Sequence, residues 1–191
     1  MGRTAILLYD NFSNYELSVA VSVLYQGGIP YDVFSTTDTV TSEEGLLVRR
    51  SRSMADCNPG DYNALLLPGC MDVGPYVDNG ELLAFLRGFS LERQVIAAIS
   101  SAPVLLLKAG LLEGRCFLAG VPKEGLLAEG FLPHQLAGMY DHTQLPLVDS
   151  KPARVLRDGN LLTALGSGFV EFGVALGQML ELEFDPAWYG W

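Results

Sequence analysis

Ser100 lies where an apolar run meets a proline-led segment, in the string Ala97-Ala98-Ile99-Ser100-Ser101-Ala102-Pro103. A residue forced into a tight turn between a buried strand and a helix holds its side chain above the sheet, with backbone amides beneath it. That geometry exposes a nucleophile and supplies donors to an oxyanion in one step. A serine before a helix is also a preferred N-cap, because its hydroxyl accepts a hydrogen bond from a free amide of the first turn. The string therefore admits two readings, an elbow nucleophile and a cap. Two other segments carry polar groups just after apolar runs, Asn14-Tyr15-Glu16 and Leu67-Pro68-Gly69-Cys70. In a parallel sheet all three would converge on one rim, where ligands of open α/β sheets bind.

The elements that would position these segments are legible as short apolar runs alternating with stretches of helical length, the pattern of βαβ units. Residues 4–8 read as a buried first strand. After the loop 9–12, Asn14 can cap a helix in which Leu17, Ala20, Val21 and Leu24 recur at helical spacing, and Gly27-Gly28 end it. Residues 31–35 are the next strand, and 39–54 read as short strands or a hairpin. Residues 62–67 form a buried strand cut off by Pro68-Gly69, and a helix follows over about 80–89. Residues 94–99 are another buried strand running into Ser100, with a helix over 104–109. Pro103 is tolerated there because its missing amide proton would have had no partner in a first turn. Residues 116–119 suggest a strand, and 121–150, with scattered glycine and proline, helix fragments and loops. Asp158-Gly159, between 155–157 and 160–163, marks a hairpin, since Asp-Gly supplies the positive-φ turn. Gly166-Ser167-Gly168 leads into a last helix with Phe169, Phe172, Leu176, Met179 and Leu180 on its apolar face. A single Gly-x-Gly without a Walker lysine does not make a phosphate loop. The aromatic end Trp188-Tyr189-Gly190-Trp191 could be disordered, close the core or cover a subunit interface.

The composition narrows the function. The 191 residues carry 12 Lys+Arg against 22 Asp+Glu, a net charge of −10, which argues against a nucleic-acid partner because phosphate binding needs clustered cations. Hydrophobic residues make up 49% and charged residues 18%, enough to bury one large core, so a single domain over 1–191 is expected. The longest apolar runs are strand-length, far short of the roughly 20 residues a membrane helix needs. The first residues are too short for a secretory leader, and Ile6 breaks the myristoylation pattern. Cys57, Cys70 and Cys116 are odd in number and widely spaced, which fits reduced thiols in a cytoplasmic protein without a disulfide framework or a metal site.

Four segments, ILLYDNFSNYELSVAVSVLYQGG, YNALLLPGC, VIAAISSAPVLLLKAGLLEGR and VLRDGNLLTALGSGFVEFGVAL, resemble the ThiJ/PfpI family in order and spacing. That family belongs to the class I glutamine-amidotransferase-like superfamily and includes the Parkinson-disease-associated deglycase-like proteins. The resemblance implies a flavodoxin-like three-layer sandwich, with a mostly parallel central sheet, helices on both faces and a nucleophile elbow. It also implies a homodimer acting on or binding a small molecule, with no cofactor.

In the family the elbow nucleophile is a cysteine, and here that position is Ser100. The family's acidic partner falls on Glu16, and its oxyanion amides fall on Gly69, Cys70 and Ser101. A thiol is easily activated at neutral pH, whereas a hydroxyl needs a positioned base. Glu16 is the only evident base, and an ordinary carboxylate is a weak one unless burial raises its pKa. One branch of the family places a histidine directly after the nucleophile, where this chain has Ser101. Another places one after the following strand, where it reads Ala119-Gly120-Val121-Pro122. His134 and His142 lie in the irregular region and could reach the site only by folding back. Cys70 replaces the second glycine of the family's Pro-Gly-Gly turn, as an apolar filler or as a second thiol at the pocket. It also lacks glycine's freedom at positive φ. Cys57 and Cys116 read as structural. The expectation is a small-molecule binding or regulatory protein without the family's cysteine chemistry. The alternative is a serine-dependent hydrolase, amidase or deglycase-like enzyme using Ser100 and Glu16.

Overall fold

A computed structural model describes residues 2–148 and 150–191. The chain opens with β1 (Arg3–Leu7), α1 (Tyr15–Gln26) and β2 (Tyr31–Ser35). An antiparallel hairpin follows, β3 (Thr39–Thr41) with β4 (Leu47–Arg49), then the short β5 (Arg52–Ser53). The middle of the chain supplies β6 (Tyr62–Leu67), α2 (Gly74–Val77), α3 (Gly80–Arg87), β7 (Val95–Ile99) and α4 (Pro103–Lys108). The irregular region resolves into β8 (Phe117–Ala119), α5 (Lys123–Ala128), β9 (Met139–Asp141), β10 (Leu147–Val148) and β11 (Lys151–Pro152). The last elements are β12 (Val155–Asp158), β13 (Leu161–Ala164) and α6 (Phe169–Met179).

Seven strands form one sheet in the order β12-β13-β7-β6-β1-β2-β5, parallel throughout except for the antiparallel edge strand β12. The β12–β13 turn has Gly159 at φ 61°, as the Asp-Gly signal requires. β6 and β7 are buried on both faces, which is why they read as continuous aliphatic runs rather than as alternation. The chain leaves β1 toward β2 on one side and returns to β6 on the other. That reversal falls between β1 and β6, and sheets of this kind take ligands outside the carboxyl ends of the strands at such a point.

Two helices that cover the sheet approach each other through glycine. A β-carbon at Gly173 of α6 would stand 2.7 Å from the backbone nitrogen of Ala20 in α1, so nothing larger than hydrogen fits between them there. The start of α1 departs from the sequence expectation. Asn14 has helical backbone angles and its side chain makes no capping bond. Instead the Glu44 carboxylate, from the β3–β4 turn, accepts the amides of Asn14 and Tyr15 at 3.0 and 3.2 Å. A carboxylate suits the positive end of a helix, and it arrives from a distant loop that local sequence does not reveal. At the other end of the chain, the Tyr189 hydroxyl lies 2.7 Å from both Ser22 Oγ and Gln26 Nε2 of α1, while Trp188 and Trp191 stay exposed. Among the described residues no helix is long and apolar enough to cross a membrane.

Candidate active site

Ser100 sits between β7 and α4 with φ 62°, the left-handed region that L-residues enter at a cost of about 1 kcal/mol or more. Its amide donates to the Ala164 carbonyl at 2.8 Å, and its carbonyl accepts from the Gly120 amide at 2.7 Å. The ends of β13 and β8 thus pin both backbone groups and hold the strained turn. The side chain is half-buried. The elbow reading is therefore favoured over the cap, since α4 is capped by Ala102 without a side-chain bond.

Glu16 reaches the same point from the first turn of α1, with only 1% of its surface exposed. Its Oε2 accepts the Gly69 amide at 2.6 Å, and its Oε1 accepts the Tyr15 hydroxyl at 3.4 Å. Burial pushes the carboxyl up to about 7, against the opposing hydrogen bonds from the Gly69 amide, Ser100 and Tyr15, and the negative charge of Glu43 adds to the rise. At neutral pH the group is therefore near half-protonation and can both give and take a proton.

Three glycines from separate segments leave room for this pair. A β-carbon at Gly69 would meet Ser100 Cβ at 2.6 Å, one at Gly166 would meet Glu16 Oε1 at 2.7 Å, and one at Gly120 would come within 3.1 Å of Ser100 Cα. Gly166 and Gly120 escape the sequence reading, in which the 166–168 segment is only the approach to α6. The turn at Gly69 is braced in turn. Tyr9 donates its hydroxyl to the Pro68 carbonyl, and the Ser13 amide donates to the Gly69 carbonyl at 2.8 Å.

All five expected residues come together, but two of the three amides already have acceptors. Gly69 gives its amide to Glu16, as described. Cys70 gives its amide to Ser101 Oγ at 3.0 Å, and that hydroxyl donates back to the Cys70 carbonyl at 3.0 Å. Among the described residues, no protein group accepts from the Ser101 amide. Cys70 is 7% exposed, and burial pushes its thiol up to about 11, which suits filler rather than nucleophile. Its φ is not positive, so the cysteine leaves the turn unstrained. Cys57 is half-buried and also pushed up to about 11 by burial. Cys116 is exposed, contrary to a structural role in the core. His134 and His142 are both exposed, and neither bonds to Ser100 or Glu16. Among the described residues no three His, Cys, Asp or Glu side chains cluster so as to hold a metal ion. The chemistry available is hydrogen bonding by Ser100 and proton exchange by Glu16.

The family described as DJ-1/PfpI family matches residues 2–178. An uncharacterized protein of Methanocaldococcus jannaschii, MJ0967, is 30% identical over 112 residues, 58% of this chain and 55% of that protein, so the chain spans about half the length of that relative. The isonitrile hydratase of Pseudomonas putida is 26% identical over 184 residues, covering 83% of this chain and 72% of the enzyme. Among solved structures, the DJ-1 superfamily protein Atu0886 from Agrobacterium tumefaciens superposes with a TM-score of 0.79 at 22% identity, covering 100% of this chain and 95% of that one.

Proposed function

The chain belongs to the DJ-1/PfpI family, and on that premise we propose a single-domain protein over 1–191 that binds a small neutral molecule at Ser100 and Glu16 without the family's covalent cysteine chemistry. The carrying observation is the state of the elbow: a hydroxyl stands at position 100, its neighbouring base is a carboxyl that burial pushes up to about 7, and the Gly69 and Cys70 amides are already bonded. A neutral ligand suits the charge around Glu16, because the charged group that raises its pKa besides burial, Glu43, is itself acidic. A carbonyl or similarly polar ligand would take a hydrogen bond from Ser100 and from whichever proton Glu16 holds. A homodimer in the cytoplasm is the accompanying proposal, and light scattering on the purified protein tests the dimer.

The test is the intact mass after incubation with a serine-directed fluorophosphonate, with Ser100→Ala as control. No adduct is expected. A stoichiometric adduct absent from Ser100→Ala would overturn the reading in favour of a serine-dependent hydrolase. A second reading rests on the pKa of Glu16. A buried acid near 7 is well matched to general acid–base catalysis, so the site could add water to an isonitrile or a small carbonyl compound. In that case turnover would show a pH limb near 7 and fall by orders of magnitude in Glu16→Gln.

A further inference from the structure

We infer that Ser101 is a positioning residue whose hydroxyl masks the Cys70 amide and keeps the anion-stabilising side of the elbow half closed. The inference rests on the reading that Ser100 and Glu16 form the binding site, and it adds how strongly that site can hold negative charge. Two contacts carry it. The Ser101 Oγ accepts from the Cys70 amide at 3.0 Å, and the same hydroxyl donates to the Cys70 carbonyl at 3.0 Å. One side chain thereby satisfies both backbone groups of the residue beside the elbow. Ser101 is 6% exposed, so solvent does not compete for these bonds.

Among the described residues the Cys70 amide has no acceptor other than Ser101 Oγ. The neighbouring Gly69 amide serves Glu16, and Cys70 is bridged on its other side to Phe12. Among the described residues, the Ser101 amide, within the same turn as Ser100, meets no protein acceptor. An anionic oxygen on a ligand held at Ser100 would therefore meet one available amide instead of two. A well-aimed oxyanion donor is worth about 10²–10³ in rate, so its masking is a large effect on charge stabilisation and a small one on folding.

A thiol installed at the elbow reports this directly, because a thiolate is an anion at position 100 and needs no native ligand. The experiment compares Ser100→Cys alone with Ser100→Cys carrying either Ser101→Ala or Ser101→Thr. It follows iodoacetamide alkylation at position 100 from pH 5 to 10 by peptide mass. The thiolate displaces iodide, so the rate tracks its ionised fraction. The ionisable groups around the reporter are Glu16 with Tyr15 and Glu43, and the Cys70 thiol with Asp72, Tyr9 and Tyr76, and all are common to the three proteins. Removing the hydroxyl is expected to unmask the amide, lower the pH midpoint of the thiol and speed alkylation at pH 7 by about tenfold. Threonine keeps a hydroxyl and should restore the slower profile.

Equal profiles for Ser101 and Ser101→Ala would overturn the inference, as would Ser101→Thr behaving like Ser101→Ala. Hydrogen exchange of the Cys70 amide gives a second readout in the otherwise unaltered protein: protection should be lost in Ser101→Ala, and retained protection would also overturn the inference. The site reading fails by a different outcome, a fluorophosphonate adduct on the unmodified protein, so the two failures are distinguishable.

Discussion

Gly166 and Glu16, 150 positions apart in sequence, stand so close that a β-carbon at position 166 would lie only 2.7 Å from the carboxylate oxygen Oε1. The acid of the site therefore depends on a hydrogen atom at a position that carries no side chain. Gly166→Ala should destabilise the fold by about 2 kcal/mol through overpacking in urea unfolding. The contrasting substitution is Gly125→Ala in α5, where a β-carbon meets nothing within 4 Å and helix propensity should stabilise by about 0.5 kcal/mol. Equal effects at the two positions would refute the steric account.

Glu16 makes stability depend on pH in an unusual direction. Its carboxyl rises on folding from 4.5 to about 7, so the folded state binds the proton more tightly than the unfolded one. The protonated form is favoured by folding, and its contribution is complete below about 4.5 and lost as pH climbs through 7. The total is about 3 kcal/mol, at 1.36 kcal/mol for each tenfold change in proton affinity. Glu16→Gln should remove this slope, so the wild-type protein should lose stability between pH 5 and 8 relative to the variant in chemical unfolding.

Backbone strain at the elbow predicts an inverted preference. At an ordinary position alanine is more stable than glycine, because glycine loses more chain entropy on folding. At φ 62° the β-carbon itself carries the cost, and Ser100→Gly should be more stable than Ser100→Ala by about 1 kcal/mol. Calorimetry of the two variants reads the sign.

The three thiols should separate cleanly under native alkylation. Burial pushes Cys57 and Cys70 up to about 11, whereas Cys116 is exposed. Iodoacetamide at pH 8 should therefore modify Cys116 at least tenfold faster than either of the others. A fast Cys70 would mean a more open pocket than the 7% exposure of that residue implies.

The sequence reveals the sheet better than the site. Runs such as Ala64-Leu65-Leu66-Leu67 announce strands buried on both faces, and Asp158-Gly159 announces its hairpin, because both signals are local. The Ser100 elbow is legible for the same reason, as a strand, a tight turn and a proline in one string. What escapes is set by partners far along the chain. Glu44 caps the helix start through the Asn14 and Tyr15 amides where the sequence suggests an Asn14 side-chain cap, Gly120 and Gly166 make room for a pair that neither adjoins, and Ser101 bonds a residue 31 positions away. Glycine carries no chemical signature of what it makes room for, and a serine hydroxyl gives no sign of which backbone it will choose.

The glycine contact between α1 and α6 acts as a seal on the chemistry. Glu16 sits in the first turn of α1, and Gly173 lets that helix lie directly against α6. A side chain at 173 would lever the helices apart and admit water along α1, and a hydrated carboxyl would relax toward the acidity of an ordinary glutamate. The seat of the helix that carries Glu16 is thus written partly into a hydrogen atom on α6, which meets α1 one turn further along at Val19 and Ala20.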